Sequence, residues 1–464
     1  MGQFMTPAPV ASFMASLFTP TATPIRLLDP GAGLGALSCA VIDRWQSGQL
    51  GDQMLSLTAY EKDTLLCPHL QAAYDGYDLP KLSVSIRSED FLTAVAERRD
   101  AGSYTHAILN PPYKKIAVTS QARKDARAFG LETVNLYSAF VGAALQQLGP
   151  GGQLVAIIPR SFCNGPYYKP FRQFILKRAA LDFIHVFDSR SDAFKDDDVL
   201  QENVIVRLTQ PPRQASVTVS SSTDQSFADL DSRAFPFDEV VRPKDPELFI
   251  RIPTEDSDPL ADPEIVNCTL RDLDLAVSTG PVVDFRLKSH LRDSMGTDTV
   301  PLLYPGHFTG TAMSWPNSPG RKPNALVQND ETVKWLFQAG RYVVVRRFSS
   351  KEEKRRVVAA MIDPERLGGA TAIGIENHLN VFHRSRGSLP SDLAWGLFVF
   401  LNSSLVDEHF RRFNGHTQVN ATDLKNMRYP TAEQLVQLGE GLHAGAALSQ
   451  DMIDERVCSV LRIQ

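Results

Sequence analysis

The sequence predicts an α/β protein, with a doubly wound, Rossmann-like sheet in the first half of the chain and an irregular α/β domain in the second half. Short apolar runs alternate with helical patterns over about the first 210 residues. This alternation is typical of a mostly parallel sheet with helices on both faces. It ends near Pro211, which indicates that a second domain of different construction follows.

The length and the linker signals divide the chain into two predicted domains. A chain of 464 residues corresponds to two or three domains of ordinary size. The segment 243–263 is rich in Pro, Asp and Glu, and Ser220–Thr223 is also predicted to be edge or linker material. We therefore predict domains at residues 1–245 and 264–464.

The elements of the first domain follow one another in strand–helix order. Ile25–Asp29 is predicted to be the first strand and Leu34–Arg44, after a Gly-rich turn, the first helix. The further predicted elements are strands at Leu55–Tyr60, Leu82–Ile86, Thr105–Leu109, Gly152–Ile158, Phe183–Val186 and Asn203–Leu208, and a helix at Tyr137–Leu148. Sheets of this kind bind ligands at the carboxyl ends of their strands, so functional residues are expected there.

Composition excludes several classes of protein. The net charge of −5 is unlike that of a protein that coats nucleic acid through bulk positive charge, so any such contact must use local basic patches. The five cysteines are widely spaced and form no CxxC pair, which argues against disulfides and zinc and fits a reducing cytoplasm. The chain has neither an apolar run of membrane length nor a secretory leader, so we expect a cytoplasmic protein without bound metal.

A Gly-rich turn, Asp29–Gly35, follows the first predicted strand. Gly31 and Gly33 allow the backbone to approach a ligand closely, and the next helix offers free N–H groups at its N-terminus. Nicotinamide and flavin cofactors use similar turns, and a tight structural turn is a further alternative. A P-loop is disfavoured because the sequence lacks Gly-Lys-Ser/Thr.

Acidic residues also follow the second and third predicted strands. A carboxylate at Glu61 can accept hydrogen bonds from both hydroxyls of a ribose. Asp90 can accept from an adenine amino group while the Phe91 ring packs on the base. Either acid alone is more typical of a surface or capping residue. Three suitable residues at successive strand ends predict a cofactor site.

The tetrapeptide Asn110–Tyr113, Asn-Pro-Pro-Tyr, ends the fourth predicted strand. Pro111 and Pro112 stiffen the loop because they restrict φ. The Asn110 side-chain oxygen and a backbone carbonyl, such as that of Pro111, could accept both N–H groups of a base amine and favour a more nucleophilic nitrogen. Tyr113 offers a ring on which a flipped base can stack. In isolation the tetrapeptide could equally be a rigid turn.

In this order, the motifs resemble those of the gamma class of amino-DNA methyltransferases. Within that class the chain is similar to the N6-adenine enzymes of restriction–modification systems, in particular the TaqI-like and PstI/BsuBI-like modification enzymes. The matching segments are Gly2–Pro7, Asp29–Gly33, Glu61, Asp90–Phe91, Asn110–Tyr113 and Gly151–Pro159. Looser matches at Ser278–Arg286 and Gly415–Asn420 resemble the start and end of the family's target-recognition domain.

The resemblance implies transfer of a methyl group from S-adenosylmethionine to N6 of an adenine flipped out of double-stranded DNA. It assigns cofactor binding to Phe4, Thr6, Pro7, Asp29, Gly31, Gly33, Glu61, Asp90 and Phe91. It assigns catalysis to Asn110, Pro111, Pro112, Tyr113 and Phe194, with Phe183 and Phe187 as alternatives to Phe194 for stacking the base. It also implies a target-recognition role for residues 264–464 and a partner endonuclease, if any, on a separate chain.

Other methyltransferase chemistries remain as alternatives or are excluded. C5-cytosine methylation needs a Cys nucleophile after a proline, and the chain has no Pro-Cys pair. N4-cytosine transfer uses a similar loop, more often with Ser or Asp first, so Asn110 favours adenine. Methylation of protein glutamine or ribosomal RNA is a weaker alternative because those enzymes typically lack a long domain after the catalytic one. A catalytically inactive DNA-binding relative is disfavoured by the intact Asn110 and Asp29.

DNA contacts are predicted in the second domain. The segment Arg341–Arg356 contains seven basic residues and two acids, which suits contacts with phosphates, although a solvated helix face is an equal alternative. The candidate DNA-binding residues are Arg346, Arg347, Lys351, Arg355, His416 and Gln418. The recognised bases cannot be read from spacing, because readout depends on which side chains reach which groove.

Overall fold

The fold is that of a computed structural model. The structure describes residues 6–463 apart from 188–202, 244, 254–258, 263, 310–311, 317–321, 350–352, 414–417 and 445–447. The chain divides into two compact units, Met1–Pro253 and Thr254–Gln464. The division lies within the Pro-rich segment 243–263.

The first unit contains a mixed sheet of nine described strands. Their bounds are β1 Ile25–Pro30, β2 Leu55–Tyr60, β3 Leu82–Arg87, β4 Tyr104–Leu109, β5 Leu148–Pro159, β6 Ala180–Phe187, β7 Asn203–Thr209, β8 Ser216–Ser222 and β9 Asp231–Pro236. The strand order is β3-β2-β1-β4-β5-β7-β6-β8-β9. The first five strands in this order, from β3 to β5, run parallel to one another, whereas β7 runs antiparallel to both β5 and β6. The order reverses between β1 and β4, which is where such sheets bind their ligands.

Helices cover both faces of this sheet. Their bounds are α1 Ala8–Ser16, α2 Ala36–Gln46, α3 Cys67–Asp75, α4 Phe91–Ala96, α5 Gln121–Ala128, α6 Leu136–Gln147, α7 Lys169–Arg178 and α8 Phe237–Val240. Successive strand residues point to opposite faces, so Leu27 packs in the core formed with α1–α3, and Leu28 in the core formed with α4, α6 and α7. Both faces of the central strands are buried, which explains their nearly continuous apolar sequence.

The sheet extends further than the sequence predicts. The sequence places Ser220 and Ser222 at an edge or in a linker, but they lie in β8 with their side chains buried. Their hydroxyls lie 2.8 Å and 3.2 Å from the two ring nitrogens of His185 on β6. The buried His185 therefore forms hydrogen bonds with both buried serines. Because these buried positions are polar, the sequence does not show the apolar pattern that predicts a strand.

The second unit contains small sheets followed by helices. Its strands are β10 Ala276–Thr279, β11 Leu291–Arg292, β12 Thr299–Leu303, β13 Phe308–Thr309, β14 Ala312–Met313, β15 Ala325–Val327, β16 Leu336–Gln338, β17 Tyr342–Arg346, β18 Ala359–Ile362, β19 Ala372–Ile375 and β20 Leu379–His383. Its helices are α9 Ser391–Leu401, α10 Ser404–Phe413, α11 Ala421–Asn426, α12 Ala432–Gly439 and α13 Gln450–Leu461. The sheets have the orders β10-β20-β17-β18 and β11-β15-β12-β19-β16, with β13 and β14 as a separate pair. The predicted α/β fold class is confirmed.

Candidate active site

The residues singled out in the first domain lie at one edge of the nine-stranded sheet. Asp29 lies near the end of β1, and Glu61, Asp90 and Asn110 follow β2, β3 and β4. These strands are parallel neighbours in the order β3-β2-β1-β4, so their carboxyl ends share one edge. The structure therefore brings the predicted cofactor residues and the Asn-Pro-Pro-Tyr loop to the same side of the sheet.

The Gly-rich turn is fixed by the end of β2. The N–H groups of Gly31 and Ala32 both donate to the carbonyl oxygen of Tyr60, at 2.8 Å and 2.9 Å. Gly33 has a φ of +58°, and a Cβ at this position would meet no described atom within 4 Å. The turn thus presents left-handed backbone beside open space, which is the arrangement that a closely approaching ligand requires.

Glu61 links the turn to the second strand. One carboxylate oxygen accepts from the Gly33 N–H at 2.8 Å, and the other accepts from the Asp63 N–H at 2.7 Å. Glu61 is only 4% exposed. Each carboxylate oxygen has capacity for a second hydrogen bond, so Glu61 can shape the turn and still accept from the hydroxyls of a ligand.

Asp29 is buried without a complete set of partners. It is 1% exposed, and its Oδ2 forms no hydrogen bond within the part of the chain that the structure describes. The pKa of Asp29 is raised to about 7, chiefly by burial and to a smaller extent by the negative charge of Glu61, while hydrogen bonds from Ser38 act in the opposite direction. An ionised carboxylate in this position is costly unless it is paired, so the position suits a cationic group.

Asp90 and Phe91 also support the local structure. Asp90 caps α4 by accepting from the N–H groups of Leu92 and Thr93, and its other oxygen lies 2.9 Å from Lys62 Nζ. The buried Phe91 ring lies edge-on to Tyr60, with a centroid distance of 5.1 Å. Capping of α4 is therefore sufficient to explain an acidic residue at position 90. The second carboxylate oxygen of Asp90 lies at the surface beside Lys62.

The Asn110 amide is held on both sides. Its Nδ2 donates to Thr6 Oγ1 at 3.0 Å, and its Oδ1 accepts from the Tyr113 hydroxyl at 3.1 Å. Thr6 and Pro7 lie immediately before α1, so Thr6, near the end of the N-terminal motif, contacts the Asn-Pro-Pro-Tyr loop. The Tyr113 hydroxyl also lies 3.1 Å from the carbonyl oxygen of Ile157 on β5. The amide nitrogen thus faces Thr6, and the amide oxygen faces Tyr113.

Aromatic residues that no sequence pattern indicated support Tyr113. The Tyr113 ring lies edge-on to Tyr137 at a centroid distance of 6.1 Å, and Tyr137 stacks on Tyr168 at 5.6 Å. Burial raises the pKa of Tyr113 well above its usual value. Pro111 is buried and Pro112 half-buried. Tyr137 lies on α6 and Tyr168 lies after β5, so these contacts with the loop form only in the folded sheet and leave no local pattern in the sequence.

The candidate DNA-binding residues of the second unit have different surroundings. Arg346 pairs with Glu353. The half-buried Arg355 has two guanidinium nitrogens enclosed without a hydrogen bond among the described residues, and burial lowers its pKa. Arg347 and Gln418 are brought together, with Arg347 Nη2 3.4 Å from Gln418 Oε1. The predicted basic segment is therefore not a uniformly solvated face.

Four of the predicted site residues lie outside the described residues: Phe4, Phe194, Lys351 and His416. Phe183 and Phe187, the alternatives to Phe194, are both buried on β6. Within the described ranges, no three His, Cys, Asp or Glu side chains are grouped to hold a metal ion. No helix in the same ranges is long and apolar enough to span a membrane.

Comparison with known proteins identifies the class to which this site belongs. Residues 60–194 match the family described as Eco57I restriction-modification methylase. The chain is 45% identical over 452 residues to the type II methyltransferase M.BsuBI of Bacillus subtilis, covering 95% of this chain and 89% of that one. It is 41% identical over 481 residues to M.PstI of Providencia stuartii, covering 100% and 93%.

The chain therefore belongs to the type II methyltransferases of restriction–modification systems, and its predicted resemblance to the PstI/BsuBI-like enzymes is confirmed. A solved structure, a DrdV–DNA complex, shares the fold with a TM-score of 0.53 at 12% identity. The similarity covers 94% of this chain and 57% of that one.

Proposed function

We propose that the chain is a site-specific DNA methyltransferase that transfers a methyl group from S-adenosylmethionine to N6 of an adenine flipped out of duplex DNA. The observation that carries the proposal is the position of Asn110 at the sheet edge that also holds Asp29 and Glu61. An amide acceptor beside a nucleoside-type cofactor site suits transfer to an amine. The Asn in the first position of the loop favours adenine over N4 of cytosine.

The residues at the Gly-rich turn fit S-adenosylmethionine. Asp29 Oδ2, which forms no hydrogen bond among the described residues, offers a buried negative partner for a cationic ligand. The surroundings of Gly33 leave room for a ligand beside the backbone, and Glu61 can accept from ribose hydroxyls. We assign adenine contacts to Asp90 and Phe91. When bound, this cofactor supplies an electrophilic methyl group.

Asn110 acts by accepting a hydrogen bond from the target amine. Its Nδ2 donates to Thr6 and its Oδ1 accepts from Tyr113, and an amide oxygen has a second lone pair with which it can accept from the target amine. The Pro111 carbonyl accepts the second N–H, and the two acceptors together favour a pyramidal nitrogen whose lone pair is less conjugated with the ring. No protein nucleophile is needed, because positioning and electrostatic stabilisation supply the rate.

Double-stranded DNA is the proposed substrate, and Thr254–Gln464 is the proposed target-recognition unit. Two relatives that span nearly the whole chain are named type II methyltransferases, and the solved structure with the same fold is a complex with DNA. We further propose a cytoplasmic location and a cognate endonuclease on a separate chain.

The test is sequencing of genomic DNA from cells that express the full chain, with detection of modified bases. We expect N6-methyladenine at one short motif, and a much smaller modified fraction in cells that express Asn110→Ala at the same level. N4-methylcytosine at the motif would show that the target atom is N4 of cytosine and not N6 of adenine. Unmodified DNA would contradict the proposal and leave protein or RNA substrates as the next to assay.

Tyr113 provides a further prediction, because its ring and its hydroxyl have different roles. Tyr113→Phe keeps the stacking ring and is expected to retain kcat/KM within about threefold. Tyr113→Ala removes the ring, and since stacking contributes about 1–3 kcal/mol per base, kcat/KM should fall about 10- to 100-fold. Tyr77→Phe, which removes a hydroxyl bonded to Asp43, is the control. Equal losses in Tyr113→Phe and Tyr113→Ala would exclude a stacking role.

A further inference from the structure

Two sequence segments that the catalytic proposal leaves unexplained meet at one turn of the second unit. The first is Ser278–Arg286. The Val282 N–H donates to the carbonyl of Ile375 at 3.1 Å, and the Asn377 N–H donates to the carbonyl of Val282 at 2.9 Å. A Cβ on Gly280 would lie 2.3 Å from the carbonyl oxygen of Glu376. Only glycine permits this approach, so the segment fixes the turn at residues 376–378.

The described part of the second segment, residues 418–420, also contacts this turn. The Val419 N–H donates to the carbonyl of Arg347 at 2.7 Å, and the Arg347 N–H donates to the carbonyl of His378 at 2.8 Å. Asn380 Nδ2 donates to the carbonyl of Val419, also at 2.7 Å. The turn joins β19 to β20, which belong to different sheets. Its backbone is therefore held by segments that are far apart in the sequence.

At this turn a fully buried carboxylate orients a half-exposed histidine. Glu376 is 0% exposed, and its Oε1 lies 2.5 Å from Nδ1 of His378, whose side chain is 45% exposed. The other oxygen, Oε2, accepts the main-chain N–H of His378 at 3.0 Å. A buried carboxylate is costly unless it is paired. Because an ionised carboxylate can only accept, Nδ1 donates to Glu376 and carries the proton. Nε2, on the opposite side of the ring, forms no hydrogen bond among the described residues and is the atom that can accept from a partner.

The side chains around His378 are better suited to contact the edge of a DNA base than to contact only a backbone phosphate. The Phe348 ring is 43% exposed, and its centroid lies 5.0 Å from that of the imidazole. Arg347 is braced by the carbonyl of Asn377 and by Gln418 Oε1, each at 3.4 Å. A phosphate contact needs positive charge but no exposed aromatic ring, whereas base edges and thymine methyl groups are read by polar and apolar side chains together.

We propose that the His378 cluster, defined as Arg347, Phe348, His378 and Gln418, reads a base edge of duplex DNA. His378 contacts the base through Nε2, and Glu376 is the positioning residue that holds the ring. This inference rests on the proposed function, because DNA is the substrate proposed there.

The experiment is selection of duplexes from a random-sequence pool by the full chain, followed by affinity measurements on the selected and a scrambled duplex at two salt concentrations. His378→Ala should weaken the preference at one base pair, with discrimination falling about 2- to 12-fold because a single hydrogen bond contributes about 0.5–1.5 kcal/mol. Affinity for the scrambled duplex should stay within about twofold. Glu376→Gln should weaken the preference at the same base pair, and His443→Ala, which removes an exposed histidine of the same unit, should change nothing.

The outcomes separate this inference from the function on which it rests. If the wild-type chain enriches no motif, the proposed DNA specificity fails and the inference fails with it. If the wild type enriches a motif and His378→Ala shows the same preference at every base pair of it, the inference alone is wrong. An equal loss of affinity on both duplexes, with a smaller salt dependence, would make His378 a phosphate contact and overturn base reading. His378→Asn replaces His378→Ala if thermal unfolding shows that the alanine variant is not folded.

Discussion

Replacing Asn110 with alanine is expected to reduce the rate of methyl transfer about 10²- to 10³-fold while the affinity for S-adenosylmethionine stays within about twofold. The rate falls because the variant removes an acceptor aimed at the reacting amine, and deleting one such electrostatic contact typically costs about 3–4 kcal/mol of transition-state stabilisation. Affinity is retained because the variant leaves in place Asp29 and Glu61, the acids at the Gly-rich turn. Single-turnover transfer of a labelled methyl group and calorimetry measure the two quantities.

The matched variant is Asn110→Asp, which has nearly the same shape and keeps an acceptor oxygen. It should retain more activity than Asn110→Ala, whereas a purely steric role for Asn110 would make both variants equally active. Wild-type turnover by Asn110→Ala would remove this residue from the mechanism.

The second large effect is expected at Asp29. Asp29→Asn should weaken binding of S-adenosylmethionine about 10- to 100-fold, because a hydrogen bond to a charged partner contributes about 1.5–3 kcal/mol. In the wild type the affinity should fall as pH decreases below about 7, since Asp29 then becomes protonated in the free protein. Calorimetry from pH 5.5 to 8 should show this dependence in the wild type and not in Asp29→Asn. Asp43→Asn, an exposed position on α2, is the control.

The same substitution should stabilise the free protein. The pKa of Asp29 is about 7 in the fold and 3.8 ordinarily, so the stabilisation that its protonated form provides is lost as pH rises from about 4 to about 7. The asparagine side chain does not ionise, so Asp29→Asn should unfold at a higher temperature than the wild type at pH 8, with a smaller difference at pH 5. Loss of stability at pH 8 would contradict the buried-charge interpretation and point to a structural role.

The sequence predicts the site best where local chemistry decides the structure. The apolar run that ends at Leu109 and the prolines after Asn110 define a strand followed by a stiff loop, and Glu61 and Asp90 follow predicted strands in the same way. Parallel strands place those ends at one edge, so the fold class is sufficient to group these residues. Contacts between Thr6 and Asn110 join positions 104 residues apart, and no local pattern encodes them.

The basic segment of the second unit shows why the remainder could not be predicted. Seven basic residues between Arg341 and Arg356 look alike in the sequence, but Arg356 is buried and its main-chain N–H donates to Asp407. Arg346 pairs with Glu353, while Arg347 braces the turn at His378. Which arginine faces solvent depends on acids and carbonyls contributed by other segments, so charge density alone does not locate a DNA contact.

The hydrogen bond between Tyr113 and Asn110 has a consequence for substrate selection. The Asn110 oxygen accepts from Tyr113 and has one further lone pair, so a group with a single N–H can add only one hydrogen bond there and gains little net free energy. An exocyclic amine brings a second N–H, which makes an additional bond to the Pro111 carbonyl in the proposed mechanism. A target with two N–H groups therefore forms one more hydrogen bond than a target with a single N–H, and the proposed mechanism discriminates between them by that bond.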